Sequence, residues 1–160
     1  MHANPGNKSY TVKEATLKLM QYCAYRDRSH KEVEDKLKDM RMIPAACEQI
    51  IMKLMQEDFL NEERFARSFV RGKFRIKKWG RNKIKQELKL REISVPIIKL
   101  ALTEIQETDY QNTLFGIAEK KLAIIREPNI FKKRKKLTDH LLRKGYEPPL
   151  VYEVVEELIR

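Results

Sequence analysis

The sequence predicts an all-α protein built from three tandem three-helix repeats that form an elongated row, straight or curved. Apolar residues recur at spacings of three and four, which is the period of an amphipathic helix. No stretch shows sustained alternation of apolar and polar residues, and the 160 residues include only 5 glycines and 6 prolines, so a β fold is disfavoured. The same apolar pattern also returns along the chain, which indicates a row of similar units.

The internal repeat is visible at six apolar positions. Val33, Leu37, Met42, Ile50, Ile51 and Leu54 are followed 51 positions later by Ile84, Leu88, Ile93, Ala101, Leu102 and Ile105, and a further 53 positions later by Leu137, Leu141, Tyr146, Val154, Val155 and Leu158. A single unit of this size has a small core, so neighbouring units are expected to pack against each other. We expect a flexible N-terminal tail at residues 1–10, repeat 1 at 11–58, repeat 2 at 59–108 and repeat 3 at 109–160.

Capping signals and prolines place the individual helices. Thr11 with Glu14, and Ser29 with Glu32, have the Ser/Thr-x-x-Glu form of a capping box, which marks a helix start. Pro44, Pro96 and Pro148 each precede a third apolar stretch, where proline suits the first turn of a helix. These signals predict helices at 12–26, 30–41 and 44–57, at 61–77, 80–91 and 95–107, and at 110–126, 130–144 and 148–159.

Basic residues are concentrated in repeat 2. The chain has 34 Lys and Arg against 23 Asp and Glu, and residues 71–91 alone hold ten basic residues and one acid, Glu87, so this segment supplies +9 (ten minus one) of the net +11. A second basic cluster spans residues 132–136. Such an excess favours polyanions or an acidic protein surface as partners. The expected contact residues are Arg67, Arg71, Arg75, Lys77, Lys78, Arg81, Lys85, Lys89, Lys132, Lys133 and Lys136.

The spacing of these cations predicts stripes on two consecutive helices. Four cations repeat at i, i+4, i+8 and i+11, namely Arg67, Arg71, Arg75 and Lys78. Three more repeat at i, i+4 and i+8 in the next helix, namely Arg81, Lys85 and Lys89. Like charges four residues apart destabilise a helix, and a merely solvated face would more often mix its signs. We therefore expect a binding surface that points away from the apolar faces, with arginine gripping phosphates or carboxylates through paired hydrogen bonds.

A structural motif of apolar and small residues accompanies the stripes. Its members are Phe65, Ala66, Phe69, Val70, Trp79, Gly80, Ile84 and Leu88. The helical spacing of the phenylalanines, continued by Ile76, predicts packing within the repeat rather than a base-stacking platform. Trp79 either locks two helices together or presents its ring for stacking and cation–π contact. Gly80 is expected to allow a backbone angle or a close approach that a side chain would obstruct.

Little in the sequence points to catalysis, metal binding or membranes. Cys23 and Cys47 stand alone in helical patterns and are expected to be reduced, buried thiols, with no metal or other cofactor. Gly72-Lys73 lacks the upstream glycine of a phosphate-binding loop, so we do not expect an enzyme. No apolar stretch has the length of a signal peptide or a membrane span, and we expect a cytoplasmic, monomeric protein without a membrane partner.

The run from Asp58 to Val70, continued through Lys78-Trp79-Gly80 to Leu88, resembles the signature of the RecX family, in which an Arg-Phe-Ala…Phe-Val helix leads through a Trp-Gly or similar turn into an Ile…Leu helix. The resemblance implies a regulator that binds RecA filaments on single-stranded DNA, limits their recombinase and ATP-hydrolysing activity, and can itself touch single- or double-stranded DNA. Arg91-Glu92 stands where many relatives carry Lys-Gly, which concerns the turn geometry. The alternative is a non-sequence-specific DNA-binding protein acting through a basic three-helix surface.

Overall fold

A computed structural model of the chain describes residues 9–160, so the predicted tail at residues 1–10 lies outside the described residues except for its last two positions. Within this range the chain forms nine α-helices and no strand, which confirms the all-α prediction. The helices are α1 (Val12–Tyr25), α2 (His30–Asp39) and α3 (Pro44–Gln56), then α4 (Glu62–Arg75), α5 (Arg81–Leu90) and α6 (Val95–Leu102), then α7 (Glu107–Ile124), α8 (Ile130–Arg143) and α9 (Pro148–Leu158).

The predicted caps form, with one difference. The Thr11 hydroxyl accepts the Glu14 N–H at 3.1 Å, and the Glu14 carboxylate accepts the Thr11 N–H at 3.1 Å, so this capping box is complete. At α2 the Ser29 hydroxyl accepts the Glu32 N–H at 3.1 Å. The Glu32 carboxylate lies instead 3.1 Å from the guanidinium of Arg26, because the ion pair competes with the return bond of the box.

The largest boundary error concerns α6 and α7. The sequence predicts a helix to residue 107, whereas α6 ends at Leu102 and α7 begins at Glu107. Three consecutive i to i−3 hydrogen bonds, from the N–H groups of residues 103, 104 and 105 to the carbonyls of 100, 101 and 102, tighten the chain here at 3.1–3.2 Å. Such 3₁₀ turns are common at helix ends, and apolar spacing alone does not distinguish them from a continuing helix.

The same turn closes the second helix of each repeat. Its left-handed residue is Arg41 (φ 59°), Glu92 (φ 60°) or Gly145 (φ 100°). The next N–H bonds back five residues in all three repeats, from Met42 to Leu37 at 3.1 Å, from Ile93 to Leu88 at 3.1 Å and from Tyr146 to Leu141 at 3.3 Å. This is the hydrogen-bond pattern of a Schellman motif. The absence of glycine from this position in repeats 1 and 2 therefore leaves the hydrogen-bond pattern of the turn unchanged.

The buried apolar side chains form two separate cores. Repeat 1 has its own core, centred on Leu19, Leu37 and Leu54, each fully buried. Repeats 2 and 3 share the other, in which the rings of Phe74 and Tyr110 lie 5.9 Å apart and those of Tyr110 and Tyr146 lie 5.1 Å apart. Repeats 2 and 3 are thus packed as one body, with repeat 1 beside it.

Two details of the predicted core are wrong. Ile76 is 78% exposed although helical spacing places it on the side of the buried Phe65, because α4 ends at Arg75 and its buried residues end at Phe74. The last two buried residues of the α9 region are Val155 and Ile159. The spacing of the repeats predicts Val154 and Leu158 instead, each one residue earlier. The difference arises because the chain tightens into a 3₁₀ turn after α6, whereas α9 continues as a regular helix at the equivalent point.

The accessible surface supports an elongated shape. It amounts to 10617 Å², whereas a compact protein of 19.1 kDa exposes about 8,400 Å². Residues 1–8, whatever their conformation, account for at most about 1,200 Å² of this total on the same scale. The excess fits a row of repeats in which each unit contacts only its neighbours.

Candidate functional site

Residues of repeat 3 form hydrogen bonds with the turn between α4 and α5. The N–H groups of Gly80 and Asn82 donate to the carbonyls of Lys144 and Gly145 at 2.8 and 2.9 Å. In the same contact the Tyr146 hydroxyl donates to the Lys78 carbonyl at 2.9 Å, and the Lys144 ammonium donates to the Lys77 carbonyl at 3.1 Å. We call this contact, between residues 77–82 and 144–146, the repeat 2–repeat 3 seam. It fixes the backbone that carries three of the expected contact residues, Lys77, Lys78 and Arg81.

Gly80 is required for space rather than for conformation. Its φ of −75° and ψ of 167° are open to any residue. A Cβ atom at this position would lie 2.3–2.4 Å from backbone atoms of Gly145 and Tyr146. Of the two expectations for Gly80, the structure therefore supports the close approach.

Arg81 belongs to the seam and does not point away from the apolar faces as predicted. Its guanidinium donates to Glu147 at 2.8 Å and to Glu107, and lies 3.8 Å from the centre of the Tyr110 ring. The Tyr110 hydroxyl accepts the Arg81 N–H at 2.9 Å and donates to the Glu147 carboxylate. Burial raises the pKa of Tyr110 well above its ordinary value. The Arg81 side chain is only 20% exposed, and these contacts use it to join repeats 2 and 3.

Arg67 and Arg71 face α6 instead of open solvent. The Arg67 guanidinium lies 3.1 Å from Glu104 and 3.5 Å from Glu63, and the Arg71 guanidinium lies 3.2 Å from Glu104. The hydrogen bond from Arg67 and the charge of Arg71 hold the pKa of Glu104 below its ordinary value. This part of the predicted stripe is therefore neutralised within repeat 2.

Five of the predicted contact residues of repeat 2 remain, and they form what we call the free basic face. It consists of Arg75, Lys77, Lys78, Lys85 and Lys89, of which Lys85 is half-buried and the others are exposed. None of them forms an ion pair with a carboxylate in residues 9–160, whereas Arg67, Arg71, Arg81 and Arg91 all do. Five positive charges thus stand without internal compensation at the end of α4, in the turn and along α5.

Trp79 combines the two roles that its position suggests. Its half-buried ring packs against the core shared by repeats 2 and 3. The ammonium groups of Lys73 and Lys83 lie 4.9 and 4.6 Å from the ring centre, within cation–π distance. The remaining members of the structural motif are buried except Phe69, which is partly buried and stacks 5.8 Å from Phe65.

The predicted cations of repeat 3 divide in the same way. Lys132 is exposed and Lys133 half-buried on α8, and neither has an ion-pair partner in the part of the chain that the structure describes. Lys136 lies 3.3 Å from Glu127. Arg134, in the middle of the basic run, donates to the Ile159 carbonyl at 2.6 and 3.1 Å and so caps the end of α9.

Arg64 is a connecting residue that the charge pattern did not single out. Its guanidinium lies 2.8 Å from Asp27 of repeat 1 and 3.1 Å from Asp58, and it donates to the carbonyl of Asp58 at 3.0 Å. Beside it His30 lies 3.6 Å from Glu62. Leu60, at the start of repeat 2, is buried in the core of repeat 1, and these polar contacts add a further connection between the two repeats. The sequence feature that could have indicated this role is the position of Arg64 at the start of the Arg-Phe-Ala motif.

Neither cysteine is part of a disulfide. Cys23 is buried, and burial raises the pKa of its thiol; Cys47, expected to be buried, is only half-buried at the surface of α3. Within residues 9–160 no group of three or more His, Cys, Asp or Glu is placed to hold a metal ion. No helix in this range is both long enough and apolar enough to pass through a membrane.

Comparison with known proteins was made on the sequence and on the fold. Models of the second and third three-helix domains of RecX match residues 61–102 and 107–155. The regulatory protein RecX of Bacillus mycoides is 30% identical over 96% of this chain, and that of Bacillus cytotoxicus is 27% identical over 92%. The crystal structure of RecX from Lactobacillus salivarius superposes with a TM-score of 0.82 at 26% identity, covering 92% of this chain and 96% of that one.

The fold and the site define a helical-repeat protein with a basic central repeat. The chain belongs to the RecX family. It spans 54–57% of the length of the two Bacillus relatives. Both relatives are named regulatory proteins.

Proposed function

We propose that this chain is a non-catalytic, cytoplasmic and monomeric regulator that binds RecA nucleoprotein filaments and lowers their recombinase and ATP-hydrolysing activity. The free basic face is the observation that carries the proposal. Its five cations are unpaired in the described residues, and the seam fixes the backbone at Lys77 and Lys78. Membership of the RecX family supplies RecA as the partner.

The free basic face suits a polyanion for two physical reasons. A cation without an internal partner can neutralise a phosphate, and the counterions condensed on the nucleic acid are then released, which favours binding. Lysine and arginine also differ in geometry, because the Arg75 fork can hold two oxygens while each lysine acts as a point charge. The expected contacts are phosphate oxygens of the single-stranded or double-stranded DNA in the filament, together with carboxylates of RecA beside it.

Non-sequence-specific DNA binding is the second candidate function. The free basic face contains four lysines and one arginine and no side chain of the kind that reads adenine, so it favours phosphate contact over base readout. The side chains of the kind that reads adenine, Asn82 and Gln86 of α5, are not part of this face. They line a cavity together with Tyr146 and Pro148 of repeat 3. The two candidates differ in substrate: a filament regulator depends on RecA, and a general DNA-binding protein does not.

The test is the single-stranded-DNA-dependent ATP hydrolysis and strand exchange of RecA from the same organism, at stoichiometric amounts of this protein. We expect both activities to fall, and the protein alone to hydrolyse no ATP. The variant Arg75→Gln/Lys78→Gln/Lys85→Gln should lose most of the inhibition. A matched control, Lys13→Gln/Lys38→Gln/Lys53→Gln, removes the same charge from repeat 1 and should inhibit like the wild type.

Salt dependence separates the partners. If three to five of these cations contact duplex phosphates, log affinity should fall against log salt with a slope of about −3 to −5, and less steeply in the variant. Binding that persists on filaments but is weak on bare DNA would assign the face to RecA carboxylates. Unchanged RecA turnover at stoichiometric protein would refute filament regulation and leave general DNA binding. Wild-type affinity of the variant for both substrates would show that the free basic face is only solvated.

A further inference from the structure

A concave surface of repeat 3 is formed by helices other than those that carry the free basic face. It is a cavity of about 480 Å³ between the last turn of α7, the segment that follows it and one side of α8. We call it the α7–α8 pocket. The basic side chains that line it are Lys121, Arg126, Lys136 and Arg143, and Ile124 and Ile125 provide its apolar part. Of the seven lining residues only Asp139 is acidic.

The acids in and near the pocket are paired with lysines, whereas three of the pocket's four cations have no carboxylate partner in the described residues. Asp139 lies 3.2 Å from Lys135, outside the pocket, and Glu127 lies 3.3 Å from Lys136. Lys121, Arg126 and Arg143 form no ion pair with a carboxylate in the described part of the chain, residues 9–160. Three positive charges from two helices and a connecting segment therefore converge on one concave surface, whose single acid, Asp139, pairs with Lys135.

Helix-end electrostatics explain two of these cations but not their convergence. Lys121 and Arg143 lie in the last turns of α7 and α8, where a positive side chain offsets the negative end of the helix dipole. Arg126 follows α7 and lines the same pocket. Like charges that converge in this way repel each other, which an anion between them would relieve.

The imidazole of His140 reports the local potential. Burial lowers its pKa, and the charges of Lys121 on α7 and of Lys144 and Arg143 at the end of α8 lower it further. The carboxylate of Asp139, its neighbour on α8, is paired with Lys135. An anion bound among Lys121 and Arg143 would oppose their effect and raise this pKa.

We propose that the α7–α8 pocket binds a phosphate group of a nucleic-acid strand through Lys121, Arg126 and Arg143, as a contact separate from the free basic face. Two arginine forks and a lysine offer enough donors to surround one phosphate. The side chain of Ile124, 68% exposed, is available to the sugar beside it. The proposal rests on the proposed function only in taking the phosphate from nucleic acid, since it names a site on a different repeat.

Histidine-detected NMR on the full chain tests the site directly. The pKa of His140 is measured with and without saturating pyrophosphate, and then with a short oligothymidylate. We expect both probes to raise it by about 0.5 or more, the size of one charge interaction across several ångströms of partly solvated protein. His30, which contacts Glu62 near repeat 1, should not respond and serves as the internal control.

Two variants separate the pocket from the face. In Lys121→Gln/Arg143→Gln the pKa of His140 should already be higher without ligand, because two repelling charges are gone, and pyrophosphate should no longer move it. In Arg75→Gln/Lys78→Gln/Lys85→Gln the response to pyrophosphate should persist. If the wild-type protein did not inhibit RecA but kept its response to pyrophosphate, the proposed function would be refuted and the pocket would stand.

Three results would overturn the pocket. The first is a His140 pKa that saturating pyrophosphate does not change. The second is the same rise in Lys121→Gln/Arg143→Gln as in the wild type. The third is an equal rise with hexaglutamate, which would show a general response to negative charge and favour an acidic protein segment as the ligand.

Discussion

Replacing Gly80 by alanine tests whether close backbone approach joins repeats 2 and 3. The φ and ψ of Gly80 suit alanine, so the substitution introduces no conformational strain of its own. The new methyl group would lie 2.3–2.4 Å from the Gly145 and Tyr146 backbone. Neither contact is with a flexible side chain, so the two backbones must separate.

The magnitude follows from what that separation breaks. Two backbone hydrogen bonds, from Gly80 to Lys144 and from Asn82 to Gly145, lie directly at the contact, and the Tyr146 hydroxyl bond to Lys78 lies beside it. Each is worth about 1 kcal/mol net, so we expect a loss of about 3 kcal/mol in the free energy of unfolding. For a chain of this length that corresponds to a fall in Tm of about 6–12 °C.

Thermal denaturation followed by circular dichroism measures the effect, and Gly116→Ala is the matched control. Gly116 lies within α7, and nothing lies within 4 Å of the position of its added Cβ. Alanine there should raise the free energy of unfolding by about 1 kcal/mol, because glycine is the poorer helix former. Gly80→Ala with a Tm equal to or above that of the wild type would refute the argument that the seam requires a residue without a side chain.

Four further outcomes are expected. Arg64→Gln removes a contact to Asp27 that is worth about 1 kcal/mol, so amide exchange in repeat 1 should become faster. Amide exchange in the shared core of repeats 2 and 3 should not change. Glu92→Gly should raise the free energy of unfolding by about 0.5–1 kcal/mol, because φ of 60° strains a residue with a side chain. Burial raises the pKa of Tyr146 above its ordinary value of 10.0, so the unfolded chain releases this proton first and the free energy of unfolding should fall as pH rises above 10.0, less steeply in Tyr146→Phe. Reductant or chelator should leave Tm unchanged, since Cys23 and Cys47 are free thiols; a large fall with either reagent would contradict this.

The core could be predicted because its information is local. Leu37, Leu88 and Leu141 occupy equivalent positions of the internal repeat, and all three are fully buried. Helical spacing identifies such positions without knowledge of any other helix. Prediction was poorer where a helix ends, as at Ile76, since the direction of a side chain there depends on how the following turn leaves the helix.

The candidate site could be predicted only in part, because charge pairing is not local. Arg81 contacts Glu107 and Glu147, which lie 26 and 66 residues further along the chain. Arg67 contacts Glu104, 37 residues away. The sequence shows the basic stripe but not the acids that the fold brings to it. The surface left for a partner is therefore smaller than the stripe and shifted toward the turn and α5.

The three repeats differ in surface far more than in core. The same Schellman turn recurs at Arg41, Glu92 and Gly145 although only one of these is glycine, so the hydrogen bonds and the buried leucine of each repeat determine the turn. The charges do not recur: residues 1–60 hold ten basic and nine acidic residues, whereas residues 71–91 hold ten and one. If the shared helices act only as a scaffold, exchanging surface residues between repeats at equivalent positions should transfer binding without changing the fold. Moving the lysines of α5 onto the exposed positions of α2 is therefore a sharper test of where the function lies than any single truncation.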